Sequence, residues 1–275
     1  MAASLPPLDP HGAPPVWRLG KIPVRVLLPN LVTLLALCSG LTAVRMAIEG
    51  RLELALAAIV FAAILDGVDG RLARALKGTS RFGAELDSLA DFVNFGCAPA
   101  LILYLWGLDT VGSIGWLVVL IFAICAALRL ARFNVMLDDP NRPAFAADFF
   151  TGIPAPAGAI VALLPVYLDL LGLPRGAATA PVALVYCLGI GLLMISKVPA
   201  YSGKTLGKRV RRDMVLPLFV VVAMFVGLLA SYPWTVLAVC SLLYLGFLPF
   251  SFLRYRRLMA AHVAETEAAP PPSEL

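Results

Sequence analysis

Charge is scarce in this chain: 14% of its 275 residues are Asp, Glu, Lys or Arg, while 60% are hydrophobic. That balance excludes an ordinary soluble domain and points to a polytopic membrane protein. Histidine is scarcer still, since the two present, His11 and His262, lie in polar stretches near the ends. Neither a Ser-His-Asp triad nor a histidine-bound metal is therefore expected in the membrane body, and carboxylates must do any acid-base work. The five cysteines, Cys38, Cys97, Cys125, Cys187 and Cys240, form no CxxC pair and each sits in an apolar segment. They read as small buried apolar residues rather than as disulfides or zinc ligands. A phosphate loop is missing as well, because SGKT at 202–205 would need Gly where Val198 stands, with a strand before it. No short apolar run with a small-residue cleavage site opens the chain, so insertion is expected to begin with the first membrane helix. No internal repeat is visible.

Against this scarcity, DGVDGRLARALKGTSRFGAELDSLAD at 66–91 gathers four aspartates in two pairs, each at the end of an apolar helix. Asp66 and Asp69 are three apart and Asp87 and Asp91 four apart, so each pair projects from one helix face. Two such faces brought together make a cage of carboxylates beside hydrocarbon, which is costly without positive charge among them. Hard divalent cations fit best: two Mg2+ or Mn2+ would set four positive charges against the four negative ones. Gly70, Ala73 and Gly83 lie on or near the same faces and let helices or phosphates approach the backbone.

The expected fold is all-α, a transmembrane bundle of about eight spans at 27–47, 52–76, 83–106, 113–135, 152–172, 178–196, 214–231 and 233–254. Proline-rich residues 1–22 and the polar stretch 258–275 read as disordered tails around a membrane domain over 23–257. Trp17, Arg18, Lys21 and Arg25 make a basic lead-in suited to a membrane surface. Basic residues cluster before the first span, between the second and third, and after the fourth, sixth and eighth, whereas only Arg45, Arg51 and Arg175 fall on the other side. The positive-inside rule then places both tails and the aspartates in the cytoplasm, with the protein in the inner (cytoplasmic) membrane. The net charge of +5 fits anionic headgroups, and no nucleic-acid partner is needed to account for it.

The pattern DxxDGxxAR, eight residues, then GxxxDxxxD is carried by Asp66, Asp69, Gly70, Ala73, Arg74, Gly83, Asp87 and Asp91. It resembles the signature of the CDP-alcohol phosphotransferases, integral membrane enzymes that displace CMP from a CDP-linked lipid or alcohol. Further stretches, DSLADFVNFGCAPA at 87–100, LRLARFN at 128–134, FFTGIPAPAG at 149–158 and ISKVPAYSGK at 195–204, resemble the phosphatidylserine synthase branch of that family. Lys197 and Ala200 depart from that branch, which more often has Arg and Thr there. The resemblance implies a metal-dependent transferase that uses CDP-diacylglycerol and L-serine, works in the lipid bilayer, and forms a homodimer. It also implies roles: Asp66, Asp69 and Asp87 as metal ligands, and Asp91 as the base that also touches metal. Asn30, Thr33, Gly70, Arg74, Ser80 and Gly83 would bind CDP-diacylglycerol.

A zwitterionic acceptor needs a cation for its carboxylate and an acceptor group for its ammonium, and Asn94, Arg129, Arg132, Asn134 and Lys204 are candidates. Three other readings compete with serine transfer. The same family can use another acceptor, glycerol 3-phosphate or inositol phosphate, whose extra phosphate calls for more cationic groups. A divalent-metal transporter would spread its acids along a path through the bilayer, and a non-catalytic scaffold would not need Asp91.

Overall fold

The computed structural model of the chain describes residues 24–137, 149–173, 179–196, 199–201 and 214–268. Within hydrocarbon, backbone N–H and C=O groups must pair inside their own segment, and the long apolar runs accordingly become helices. Helices α1 (Val24–Ile48) and α2 (Leu52–Ala75) form an antiparallel hairpin. Its turn is closed by Gly50 at φ +74°, with the Arg51 N–H donating to the Met46 carbonyl at 2.8 Å. Buried Ala36, Ala43 and Ala47 present small side chains along α1, and Ser39 Oγ donates to the Ala58 carbonyl at 2.8 Å.

The chain returns through α3 (Arg81–Asp91), a π-helical turn over Phe92–Cys97, and α4 (Ala98–Trp106), which together make one continuous helical rod. A 3-10 turn over Leu108–Val111 leads into α5 (Ser113–Leu137). Then follow α6 (Ala155–Ala162), α7 (Leu164–Leu170), α8 (Thr179–Ile195), α9 (Val215–Ser231) and α10 (Pro233–Ala268). Phe95, Ile102, Leu103, Phe122, Tyr167 and Met194 form the centre of the core, all completely buried.

Each of the eight expected segments overlaps helical structure. Among the described residues, Arg25–Ile48, Arg81–Trp106, Ser113–Met136 and Pro233–Arg254 are long and apolar enough to cross a membrane, and Ala155–Leu170, Thr179–Ile195 and Val215–Ser231 are shorter apolar helices. Helix α9 buries none of its residues within the chain, and Leu216, Phe219 and Val220 stand fully outward. Such a surface requires an apolar solvent, so the protein is an integral membrane protein.

The structure also differs from the sequence reading in detail. The segment expected at 152–172 is broken at Leu163, because Pro165 has no N–H for the Val161 carbonyl; the Tyr186 hydroxyl donates to that carbonyl instead, at 2.8 Å. Helix α10 runs to Ala268, well past the tail boundary expected at 258, through a stretch rich in Ala and Glu with no proline before Pro270. A short antiparallel ribbon of β1 (Phe149–Thr151) and β2 (Pro199–Tyr201) interrupts the all-helical pattern. All five cysteines are free as expected, but Cys38 is exposed rather than buried. Residues 1–22, Arg142, Arg175, Lys197 and the basic run from Lys204 to Arg212 lie outside the described residues.

Candidate active site

The last turns of α2 carry Asp66 and Asp69, and α3 carries Asp87 and Asp91. Because α1 and α2 are antiparallel and α3 follows a short turn, the start of α1, the end of α2 and the start of α3 share one end of the bundle. Ligand oxygens of Asp66, Asp69 and Asp87 lie within 4.8 Å of one another. Asp91 joins the group through Asp66, its carboxyl in hydrogen-bond contact with that residue's carboxyl. Two carboxyls in such contact need a proton or a cation between them.

The donor set suits a divalent cation. Asp69 is 3% exposed, and its Oδ2 accepts a 2.7 Å hydrogen bond from Thr33 Oγ1 while its Oδ1 is buried with no hydrogen-bond partner among the described residues. A buried carboxylate oxygen left bare is expensive unless something positive meets it. Carboxylates converging from two helices are the hard oxygen ligands that Mg2+ or Mn2+ takes. Thr33 holds Asp69 in one orientation, as outer partners of metal ligands do.

Beside these acids opens a cavity of about 400 Å³ lined by α1, the end of α2 and the turn into α3. Asn30, Thr33, Gly70, Arg74, Ser80 and Gly83 all line it, together with Asp69 and Asp87. The Ser80 side chain caps α3, accepting the Gly83 N–H at 3.0 Å. A Cβ on Gly83 would come within 2.8 Å of Asn30 Oδ1, so glycine there keeps the cap and Asn30 together. The Arg74 guanidinium folds back over Gly70, with Nη1 at 3.8 Å from where a Cβ would lie. The cavity thus pairs an exposed cation and backbone groups with a carboxylate floor, the mixture a metal-bound diphosphate requires.

The acceptor candidates separate. Arg132 Nη1 donates to the Ile195 carbonyl at the end of α8 at 2.7 Å, and Asn134 Nδ2 donates to Ser88 Oγ at 2.9 Å. Both tie helices together. Asn94, 1% exposed in the π-helical turn, wedges against Gly40, where a Cβ would collide with its side chain. Arg129 alone faces the acids: it is 8% exposed, stacks at 5.2 Å on the Phe133 ring, and lies within electrostatic reach of Asp91 and Asp66. Lys204 lies outside the described residues.

Sequence reasoning missed Pro29, Gly78 and Thr79, which also line the cavity. Pro29 leaves the Arg25 carbonyl without its helical donor, and Gly78 packs against that carbonyl so closely that a Cβ would collide. Their signal was the fixed eight-residue spacing between the two halves of the motif.

The family model for CDP-alcohol phosphatidyltransferase matches residues 26–195, and a second, CDP-alcohol phosphatidyltransferase 2, matches 213–249. A CDP-diacylglycerol–serine O-phosphatidyltransferase of Mycobacterium leprae is 42% identical over 248 residues, 86% of this chain and 77% of the relative. The enzyme of that name from Helicobacter pylori strain 26695 is 36% identical over 233 residues, 82% of this chain and 92% of the relative. An archaetidylserine synthase of Methanothermobacter thermautotrophicus is 34% identical over 145 residues, 51% of this chain and 58% of the relative. With three of the motif's aspartates clustered, two of them on the cavity wall, and a family model spanning most of the helical bundle, the chain belongs to the CDP-alcohol phosphatidyltransferase family.

Proposed function

We propose that this enzyme transfers the phosphatidyl group of CDP-diacylglycerol to the hydroxyl of L-serine, giving phosphatidylserine and CMP. The observation that carries the reading is the convergence of Asp66, Asp69 and Asp87, with Asp69 and Asp87 on the wall of a cavity of about 400 Å³. Relatives named for serine transfer cover most of the chain and supply the acceptor.

In this scheme the cavity between Asn30, Ser80, Gly83 and Arg74 takes the cytidine diphosphate portion, and the acyl chains remain in lipid. Mg2+ or Mn2+ bound by the aspartates would neutralise the diphosphate oxygens and the departing CMP. The serine oxygen attacks the lipid-side phosphorus, the bond from that phosphorus to the CMP oxygen breaks, and the hydroxyl proton passes to Asp91. Arg129, a nearly buried guanidinium beside Asp91, receives the serine carboxylate. Arg74 adds a contact to phosphate.

The basic residues Arg71, Arg74, Lys77 and Arg81 crowd the site end of the bundle. We place that end, and both termini, on the cytoplasmic side of the inner membrane, with eight helical segments crossing it and the enzyme working as a homodimer. CMP release by purified protein with CDP-diacylglycerol, tested against L-serine, glycerol 3-phosphate and inositol phosphate, checks the reading. Release is expected with serine alone, and Asp91→Asn is expected to lower it by about 10²-fold or more. Release with another alcohol only would keep the family and overturn the acceptor.

A further inference from the structure

We infer that the cavity between α4, α7 and α8, at the end of the bundle away from the aspartates, is a lipid site that takes one acyl chain of a bilayer phospholipid. It lies in the leaflet opposite the catalytic end and is separate from the transfer reaction.

The rod formed by α3, the π-helical turn and α4 carries the chain away from the acids. From Asp91 to its last residue, Trp106, it climbs about 22 Å, most of the roughly 30 Å hydrocarbon thickness of a bilayer. There Trp106 meets α7 and α8 around a cavity of about 330 Å³. Pro165, where the helix is broken, lies on one wall. Tyr186 lies on another, and its hydroxyl is spent on the Val161 carbonyl that Pro165 leaves without a donor.

The polar groups of the cavity gather at its outer end. Asp169 stands near the end of α7 and Thr179 at the start of α8, and Asp169 Oδ2 accepts a 3.0 Å hydrogen bond from Trp106 Nε1. Leu164, at the start of α7, and Tyr186, about two turns along α8, line the deeper end. An ordered water needs several polar partners, which that deeper end does not offer, and an empty apolar void would forfeit packing contacts on every side. At about 30 Å³ for each water-sized group, the volume holds roughly ten methylenes, most of one acyl chain. A tryptophan whose N–H reaches a polar partner while its ring meets hydrocarbon suits the membrane interface. The ester end of the chain therefore sits at the Trp106–Asp169 pair and its tail runs toward Tyr186.

The test uses the full chain in vesicles of phosphatidylcholine and phosphatidylglycerol that also hold a phospholipid with a photoreactive diazirine near the end of one acyl chain. After irradiation, the label on each peptide is mapped by mass spectrometry. Helix α9, none of whose residues is buried, samples bulk lipid and sets the baseline. Label over residues 164–170 and 179–186 is expected to exceed that baseline about fivefold. Two variants narrow the cavity: Val182→Phe from a position 67% exposed, and Ala183→Leu from a buried one. Each should bring the cavity label down to the baseline while α9 labelling and CMP release stay at wild-type values, release also reporting that the variant has folded. Cavity label no greater than that on α9 in the wild type, as when water or a second copy of the chain fills the space, would overturn the lipid site. So would a raised label that survives both substitutions.

Discussion

Thr33 sets its hydroxyl 2.7 Å from Asp69 Oδ2 and 3.1 Å from the Pro29 carbonyl, and its single proton serves the charged partner better. That bond fixes which Asp69 oxygen is spent on protein, leaving the buried Oδ1 available to a cation. Thr33→Val keeps the shape and removes the donor, so half-saturation by Mg2+ or Mn2+ in the CMP assay should rise about tenfold; Thr33→Ser should stay near wild type. An unchanged metal requirement in Thr33→Val would separate Thr33 from the metal site. The four aspartates were legible in the sequence because carboxylates are rare in apolar runs and their spacing selects one helix face. Thr33 was legible as a polar interruption, although not its bond to Asp69. Arg129 stood among five equal acceptor candidates, since a one-dimensional pattern does not show that Arg132 is spent on Ile195 and Asn134 on Ser88.

The turn between α2 and α3 holds the two halves of the motif in register. Lys77 takes a left-handed backbone at φ 50°, and Gly78 follows, pressed on the Arg25 carbonyl that Pro29 leaves free. Gly78→Ala inserts a methyl into that contact, at a cost of about 1–3 kcal/mol. It should lower the melting midpoint and raise KM for CDP-diacylglycerol, because the turn forms one wall of the nucleotide cavity. A variant with wild-type melting and wild-type KM would show that the turn can move aside freely. The helices on either side were readable from hydropathy to within two residues, as spans at 52–76 and 83–106 against Leu52–Ala75 and a rod that starts at Arg81. Its π-helical turn at Phe92–Cys97 was not, since an extra residue in the helical repeat leaves no mark in a segment apolar on all sides. That turn re-aims the chain after Asp91, so that Asn94 wedges against Gly40 while Phe95 enters the core.

Among the described residues, the motif's aspartates, the cavity beside them and Arg71, Arg74, Lys77 and Arg81 share one end, whereas the opposite end carries the Arg45–Glu49 pair at 2.8 Å and the Trp106–Asp169 hydrogen bond at 3.0 Å. The motif's aspartates, grouped at one end, fit a transferase that meets a water-soluble acceptor at the membrane surface, and they fit poorly with a conduction path, which would need acids distributed through the bilayer. Composition and the long apolar runs made the membrane class legible. The breaks at Leu163 and the extension of α10 to Ala268 depended on local pairing of backbone groups. On the proposed reading, the aspartate cluster holds the divalent metal without which phosphatidyl transfer does not proceed. The most direct test is CMP release from CDP-diacylglycerol and L-serine by purified protein stripped of metal with a chelator, then supplied again with Mg2+ or Mn2+. Serine-dependent release should vanish on stripping and return with either ion. Undiminished serine-dependent release from the stripped protein would contradict the account.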